Sequence, residues 1–113
     1  MITLDKLVKY GANTEEALNR CYGNTSLYIK LVQTITTDDN LEKLKNALDK
    51  NDLDEAFQAA HALKGTLGNL SLTPLYEPTV EITELLRARK EMDYTPYIDK
   101  IVEKYNELIE LCD

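Results

Sequence analysis

The stretch from residue 59 to residue 70 contains the residues whose types and spacing could do chemistry. It reads Ala-Ala-His-Ala-Leu-Lys-Gly-Thr-Leu-Gly-Asn-Leu, and it contains His61, the only histidine among 113 residues. Lys64 follows the histidine by three positions, and Gly65 and Gly68 follow it by four and seven positions. Imidazole is partly neutral near pH 7, so one of its nitrogens can act as a nucleophile. A lysine at this spacing can balance the charge of an anion, such as a phosphoryl group, at that nucleophile.

The helical periodicity around His61 predicts that its side chain points outward. At roughly 100° per residue, the middle of the apolar arc that includes Ala60, Leu63 and Leu67 lies roughly 130° from His61. The residues that share the face of the histidine are Asp54, Gln58, Lys64, Gly65 and Gly68, with Phe57 at its border. We therefore expect His61 to be exposed rather than packed in the core.

The two glycines beside His61 are costly for a helix. Each interior glycine destabilises a helix by about 0.8–1.0 kcal/mol relative to alanine. Gly65 and Gly68 lie close to His61 in azimuth, and their missing side chains leave space where a bulky group or another protein can approach. Each feature also has an ordinary explanation: a surface histidine without a function, a solvated lysine, or a glycine that allows close packing. From these residues alone, a phosphoryl-accepting site and a plain helix surface both stay open.

Several other functions do not fit the sequence. No acid is placed to orient the ring and no serine or cysteine nucleophile is paired with it, which excludes hydrolysis. A net charge of −7 disfavours binding to nucleic acid or to anionic lipid. Cys21 and Cys112 form no CxxC pair, so we expect buried free thiols and no metal site. No apolar run reaches the roughly 20 residues of a membrane span, and the N-terminus lacks the form of a signal peptide, so we expect a soluble cytoplasmic protein.

The pattern of apolar residues predicts an all-α fold. No segment alternates apolar and polar residues as a half-buried strand would. We predict one domain over residues 1–113, with short covering helices in 1–37 and an up-and-down antiparallel four-helix bundle in 38–112. Thr3, Gly11 and Asn13 have the types expected at helix ends. Thr73-Pro74 and Thr95-Pro96 each resemble a capping residue followed by a first-turn proline.

These residues resemble the signature of histidine-containing phosphotransfer (HPt) domains. The core of the likeness is His61-Ala62-Leu63-Lys64-Gly65, after Ala59-Ala60 and before Gly68-Asn69-Leu70. It extends over nearly the whole chain, and the lead-in, with Tyr10-Gly11 and Gly23-Asn24, is similar to that of small stand-alone members.

The resemblance implies a four-helix bundle that accepts a phosphoryl group on His61, at Nε2, from a receiver-domain aspartate or a histidine-kinase system, and passes it to a response-regulator receiver. Lys64 is then the charge-balancing residue, and Gly65 leaves room for the phosphoryl group and the receiver. No cofactor is expected, because Mg²⁺ belongs to the receiver. The expected partners are a receiver domain and a hybrid histidine kinase, with no nucleic acid and no membrane, and the protein is expected to be a monomer without an ATP site. The residues expected to contact a partner are Asp54, Phe57, Gln58, Gly68 and Thr83.

Two residues depart from the family pattern. Many members carry a glutamine on the next helix that faces the histidine, and Thr83 is its counterpart here, with a shorter side chain. Pro78 falls near the expected start of that helix, where proline removes an amide donor and clashes with the preceding turn. We expect either a kink at Pro78 or a helix that begins late.

Three other functions compete with the phosphotransfer hypothesis. An adaptor bundle would bind a receiver or kinase without accepting phosphate, but it would have little reason to keep the histidine, lysine and glycine together. A kinase dimerisation bundle usually has an acidic residue after its histidine, whereas Ala62 stands here. A metal or haem bundle would need a second histidine or a Glu-x-x-His pair.

Overall fold

A computed structural model describes residues 1–112 of the chain. Seven α-helices follow one another in these residues, and a short 3-10 turn at Thr34–Thr37 joins the third helix to the fourth. The helices are α1 Leu4–Tyr10, α2 Thr14–Arg20, α3 Thr25–Gln33, α4 Asn40–Asp49, α5 Leu53–Asn69, α6 Thr73–Arg87 and α7 Thr95–Cys112. The described residues contain no strand, which confirms the all-α prediction.

Short polar side chains begin several of these helices, and the sequence identified two of them. The side chains of Thr3 and Asn13 accept hydrogen bonds from amides in the first turns of α1 and α2. Gly11 ends α1 with a φ of 111°, a conformation that glycine adopts at no steric cost. The predicted cap at Thr73 was wrong: Thr73 is the first residue of α6, and no side chain caps that end.

The long helices α4 to α7 pack in chain order, each against the next. Their inward faces supply most of a single apolar core, because leucine, isoleucine and alanine recur at helical spacing. Fully buried members from these four helices include Leu44, Leu67, Leu75, Ile82, Leu86, Ile101 and Leu108. Every buried side-chain nitrogen or oxygen of the described residues has a hydrogen-bond partner. The core therefore fixes the orientation of α5, on which His61 lies.

Pro78 does not delay the start of α6. The helix begins at Thr73 and continues through Pro78 to Arg87. The expected late start is wrong because Pro78 is itself buried, and Leu75 and Ile82, on either side of it, are packed in the core. Burial of these side chains outweighs the one backbone hydrogen bond that proline removes.

The N-terminal helices are tied to the turn between α5 and α6. The guanidinium of Arg20 donates to the carbonyls of Gly68 and Asn69, both at 3.1 Å, and to the hydroxyl of Ser71 at 2.7 Å. The Tyr28 hydroxyl, which is buried, donates to the carbonyl of Leu70 at 2.8 Å. The last carbonyls of a helix have no partner within it, so these donors complete the C-terminal end of α5.

Candidate functional site

His61 lies in the middle of α5 and its side chain is exposed. The helix starts where Asp52 accepts a hydrogen bond from the amide of Glu55 at 3.0 Å. Its apolar residues Ala56, Ala60 and Leu63 are buried against the neighbouring helices, which turns the opposite face to solvent. The predicted outward orientation of His61 is therefore confirmed.

The imidazole of His61 stacks on the ring of Phe57, one turn earlier on the same helix. Their ring centroids lie 5.6 Å apart and the planes meet at 23°. Neither ring nitrogen has a hydrogen-bond partner among residues 1–112. The ring is therefore held by packing, and both nitrogens remain free of protein hydrogen bonds.

Two arginines from the end of α6 cover Phe57. The guanidinium carbon of Arg87 lies 5.0 Å from the centre of the Phe57 ring, and that of Arg89 lies 4.8 Å from it. The face of an aromatic ring carries partial negative charge and attracts such cations. Arg89 Nε also donates to Asp54 Oδ1 at 2.6 Å, so α5 and the end of α6 are joined at this point.

Lys64 is half-buried and follows His61 by almost one turn of the same helix. Within the described part of the chain its ammonium forms no hydrogen bond and no ion pair. A positive charge not already paired with a carboxylate is available to an incoming anion.

The two glycines near His61 have different surroundings. A Cβ built on Gly65 would meet no described atom within 4 Å outside its own stretch of helix. A Cβ on Gly68 would lie only 3.0 Å from Cε1 of Tyr76. Gly65 thus leaves open surface, as expected, whereas the space at Gly68 is filled by Tyr76 from α6. The expectation that both glycines clear the surface beside the imidazole was wrong for Gly68.

Thr83 does not belong to the exposed surface. Its side chain is completely buried, and its hydroxyl donates to the carbonyl of Thr79 at 2.6 Å. The expectation that Thr83 contacts a partner was wrong, because α6 turns this position into the core. Its hydroxyl is committed to the backbone of its own helix, so it does not orient the imidazole either.

Asp54 and Gln58 are exposed on the same helix as His61, and Phe57 is half-buried between them. Arg89 contacts both Asp54 and Phe57, and Phe57 in turn stacks on His61. A role for these residues and for Gly68 in binding a partner stays a prediction.

Arg87 and Arg89 were not identified from the sequence. The stack of Phe57 on His61 was not predicted either, although their four-residue spacing is a signal from which a contact between the rings could have been inferred. No comparable pattern marks Arg89, which adopts a left-handed φ of 52° just beyond α6. Only the packing of α6 on α5 brings its side chain over Phe57.

The described residues contain neither a cluster of metal-ligand side chains nor a membrane-spanning helix. Among residues 1–112 no three side chains of the types His, Cys, Asp and Glu converge where they could hold a metal ion. None of the helices in that range is long and apolar enough to cross a membrane.

Comparison with known proteins identifies the family of this chain. The family model of the Hpt domain matches residues 34–111, from the 3-10 turn almost to the end of α7. No match was found among curated proteins or among solved structures. The matched segment includes His61, Lys64 and Gly65, and it covers more than half of the chain. The chain belongs to the Hpt domain family.

Proposed function

We propose that His61 is the phosphoacceptor of a phosphorelay intermediate, which receives the phosphoryl group from a receiver aspartate or a histidine-kinase system and passes it to a response-regulator receiver. Family membership carries the general role of a phosphorelay intermediate that interacts with two-component partners. The observation that supports His61 most directly is its free, outward-facing imidazole next to an unpaired lysine and open surface at Gly65.

The proposed transfer from a receiver uses the neutral form of the ring. The lone pair of Nε2 forms a bond to phosphorus while the bond from phosphorus to the donor aspartyl oxygen breaks. The electron pair of the broken bond stays on the donor carboxylate. The proton on Nδ1 remains on the ring until solvent takes it, and transfer to the acceptor aspartate reverses these steps.

The roles of the neighbouring residues follow from the charge of the transferred group. Phosphoryl transfer depends mainly on positioning and on stabilising negative charge. Lys64 supplies a positive charge on the side of the ring where the phosphoryl group arrives, and Gly65 leaves the receiver access to it. Mg²⁺ is assigned to the receiver, and the chain is assigned no ATP site of its own.

The arrangement of the bundle completes the proposal. Helices α4 to α7 are joined by short connections and pack in chain order, which supports an up-and-down antiparallel topology. We assign the bundle to residues 38–112 and the covering helices to residues 1–37. The protein is proposed to act as a cytoplasmic monomer, so that one exposed face of α5 meets each partner in turn.

The test of this function is transfer from a phosphorylated receiver or kinase. We expect acid-labile label on the intact protein and none on His61→Gln, whose helical circular dichroism should match that of the intact protein. Label that persists on His61→Gln would place the phosphoryl group elsewhere. Tight binding to receivers by both proteins, with no label on either, would make the chain a non-phosphorylated adaptor.

A further inference from the structure

The imidazole of His61 needs a fixed orientation if it is to attack phosphorus in line, yet no hydrogen bond supplies one. Neither nitrogen has a partner in the described chain, and the hydroxyl of Thr83 is committed to the carbonyl of Thr79. The imidazole instead stacks on the ring of Phe57, and the two ring centroids lie 5.6 Å apart. Such offset aromatic pairs have a preferred geometry, so a stacked neighbour restricts ring rotation.

Phe57 is itself held from the side of α6. Arg87 and Arg89 place their guanidinium groups 5.0 Å and 4.8 Å from the centre of its ring. Each arginine also forms a hydrogen bond near the end of α6: Arg87 Nε donates to Glu84 Oε2 at 3.2 Å, and Arg89 Nη1 donates to the carbonyl of Leu86 at 2.7 Å. A phenyl ring that swung away from His61 would therefore lose its contacts with both guanidinium groups.

We propose that Phe57 is a positioning residue for His61, and that Arg87 and Arg89 keep it in place, so that ring stacking performs the orienting task that no hydrogen bond performs in this protein. The stack leaves both nitrogens accessible, which a hydrogen bond to one of them would not. The effect on phosphoryl transfer rests on the proposed function, whereas the stacking of the two rings is a property of the free protein.

The orientation of the ring is tested first without any partner. His61 is the only histidine, so its ring protons give unambiguous signals in a nuclear magnetic resonance spectrum. Phe57→Leu keeps an apolar side chain but removes the aromatic ring current, and Phe57→Tyr retains the ring. We expect the His61 ring signals to shift and to show freer ring rotation in Phe57→Leu, and to stay near their original positions in Phe57→Tyr.

The consequence for transfer is tested with a phosphorylated receiver over a range of concentrations. Misplacement of reacting groups by about 1 Å can lower a rate by about a hundredfold. We expect Phe57→Leu to lower the rate at saturating receiver by at least about tenfold, with little change in the half-saturating concentration. Phe57→Tyr should recover most of the rate.

Two results would overturn the proposal. Unchanged His61 signals in Phe57→Leu would show that Phe57 does not hold the ring. A change only in the half-saturating concentration would make Phe57 a partner contact instead.

If Phe57→Leu fails to fold, the double variant Arg87→Met with Arg89→Met is studied by the same two measurements, with the same expected directions. If the intact protein accepts no label, the proposed function fails, while the ring signals still decide the role of Phe57.

Discussion

At the scale of single residues, the candidate site combines two side chains, His61 and Lys64, with one position, Gly65, that has no side chain. His61 and Lys64 carry no hydrogen bond or ion pair within residues 1–112, so both are available to a ligand. Gly65 contributes only the space that a side chain would occupy. Helical spacing predicted that these three residues share a face, and their roles were expected from the resemblance to histidine-containing phosphotransfer domains.

Replacement of Gly65 by alanine should make the protein more stable and less active. A Cβ meets no described atom there, so the variant should gain about 0.8–1.0 kcal/mol in the free energy of unfolding. The added methyl group should slow transfer from a receiver, because it occupies the approach to His61. Urea unfolding and a phosphotransfer time course measure the two effects.

Gly68→Ala is the matched control for that substitution. Its Cβ would lie 3.0 Å from Tyr76, so Tyr76 has to shift and the gain in stability should be smaller or absent. Equal stabilisation by the two substitutions would contradict the packing at Gly68. A faster transfer by Gly65→Ala would contradict the proposed role of the open surface.

Replacement of Lys64 by glutamine should slow phosphorylation of His61 without loss of stability. The ammonium forms no ion pair in the described chain, so its removal breaks no contact there, but it removes the charge that is proposed to balance the phosphoryl group. We expect a loss of about tenfold or more in the rate of transfer, in line with the loss of one stabilising donor. Lys30→Gln, at an exposed position of α3, is the control. Equal rates for the two variants would exclude charge balance by Lys64.

At the scale of helices, the end of α5 depends on residues that are distant in sequence. The sequence predicted the caps at Thr3, Gly11 and Asn13 because these signals are local. It did not predict that Arg20 and Tyr28 complete the end of α5, because such contacts depend on how α2 and α3 pack on the bundle. The late start that was one of two expectations for Pro78 failed for the same reason: burial of its neighbours outweighs the local cost of proline inside the helix.

Tyr28→Phe should lower the free energy of unfolding. The Tyr28 hydroxyl is buried and donates to the carbonyl of Leu70 at 2.8 Å, and removal of a partner from a buried hydrogen bond costs about 1–3 kcal/mol. Tyr22→Phe is a matched control, because the Tyr22 side chain is 97% exposed and should contribute nothing measurable. Denaturant unfolding of both variants makes the comparison. A Tyr28→Phe protein as stable as Tyr22→Phe would contradict the tie between α3 and the end of α5.

Glu16 should make the attachment of α2 dependent on pH. Its hydrogen bond with Arg20, and then the one from Ser71, hold the pKa of this carboxyl below its ordinary value. A pKa lower in the folded than in the unfolded chain adds stability at pH values above the unfolded pKa, and this contribution is lost as the pH falls through the folded pKa. Glu16→Gln should therefore be less stable than the intact protein at pH 7 and equally stable in acid.

The control for this prediction is Glu15→Gln, at a neighbouring position of α2 that is exposed and forms no hydrogen bond or ion pair among the described residues. Urea unfolding of the three proteins across the acidic range measures the difference. A gap between Glu16→Gln and the intact protein that persists unchanged into acid would exclude the ionised carboxylate as its source.

At the scale of the whole molecule, the fold class followed from periodicity, whereas the site at His61 was predicted from the spacing around it together with the resemblance to histidine-containing phosphotransfer domains. The described residues form a body of 42 × 24 × 20 Å, with His61 on its surface and its helix fixed by the core. The buried and exposed faces of α5 were predicted correctly because they depend on the sequence of that helix alone. Three features were not predicted, and all of them involve α6 or the residues just after it. They are the burial of Thr83, the contact of Tyr76 at Gly68 and the two arginines over Phe57. Contacts between helices are not encoded in the pattern of either helix alone.

Because Arg20 and Tyr28 bind the end of α5, the N-terminal helices and the bundle are not expected to unfold as separate units. The family match begins at residue 34, yet these two residues, on α2 and α3, satisfy carbonyls at the end of the helix that carries His61. Segments that complete one another's backbone hydrogen bonds open together in cooperative units. The family match thus begins inside one such unit, and we expect α2 and α3, which lie outside the match, to open together with the helix that carries His61.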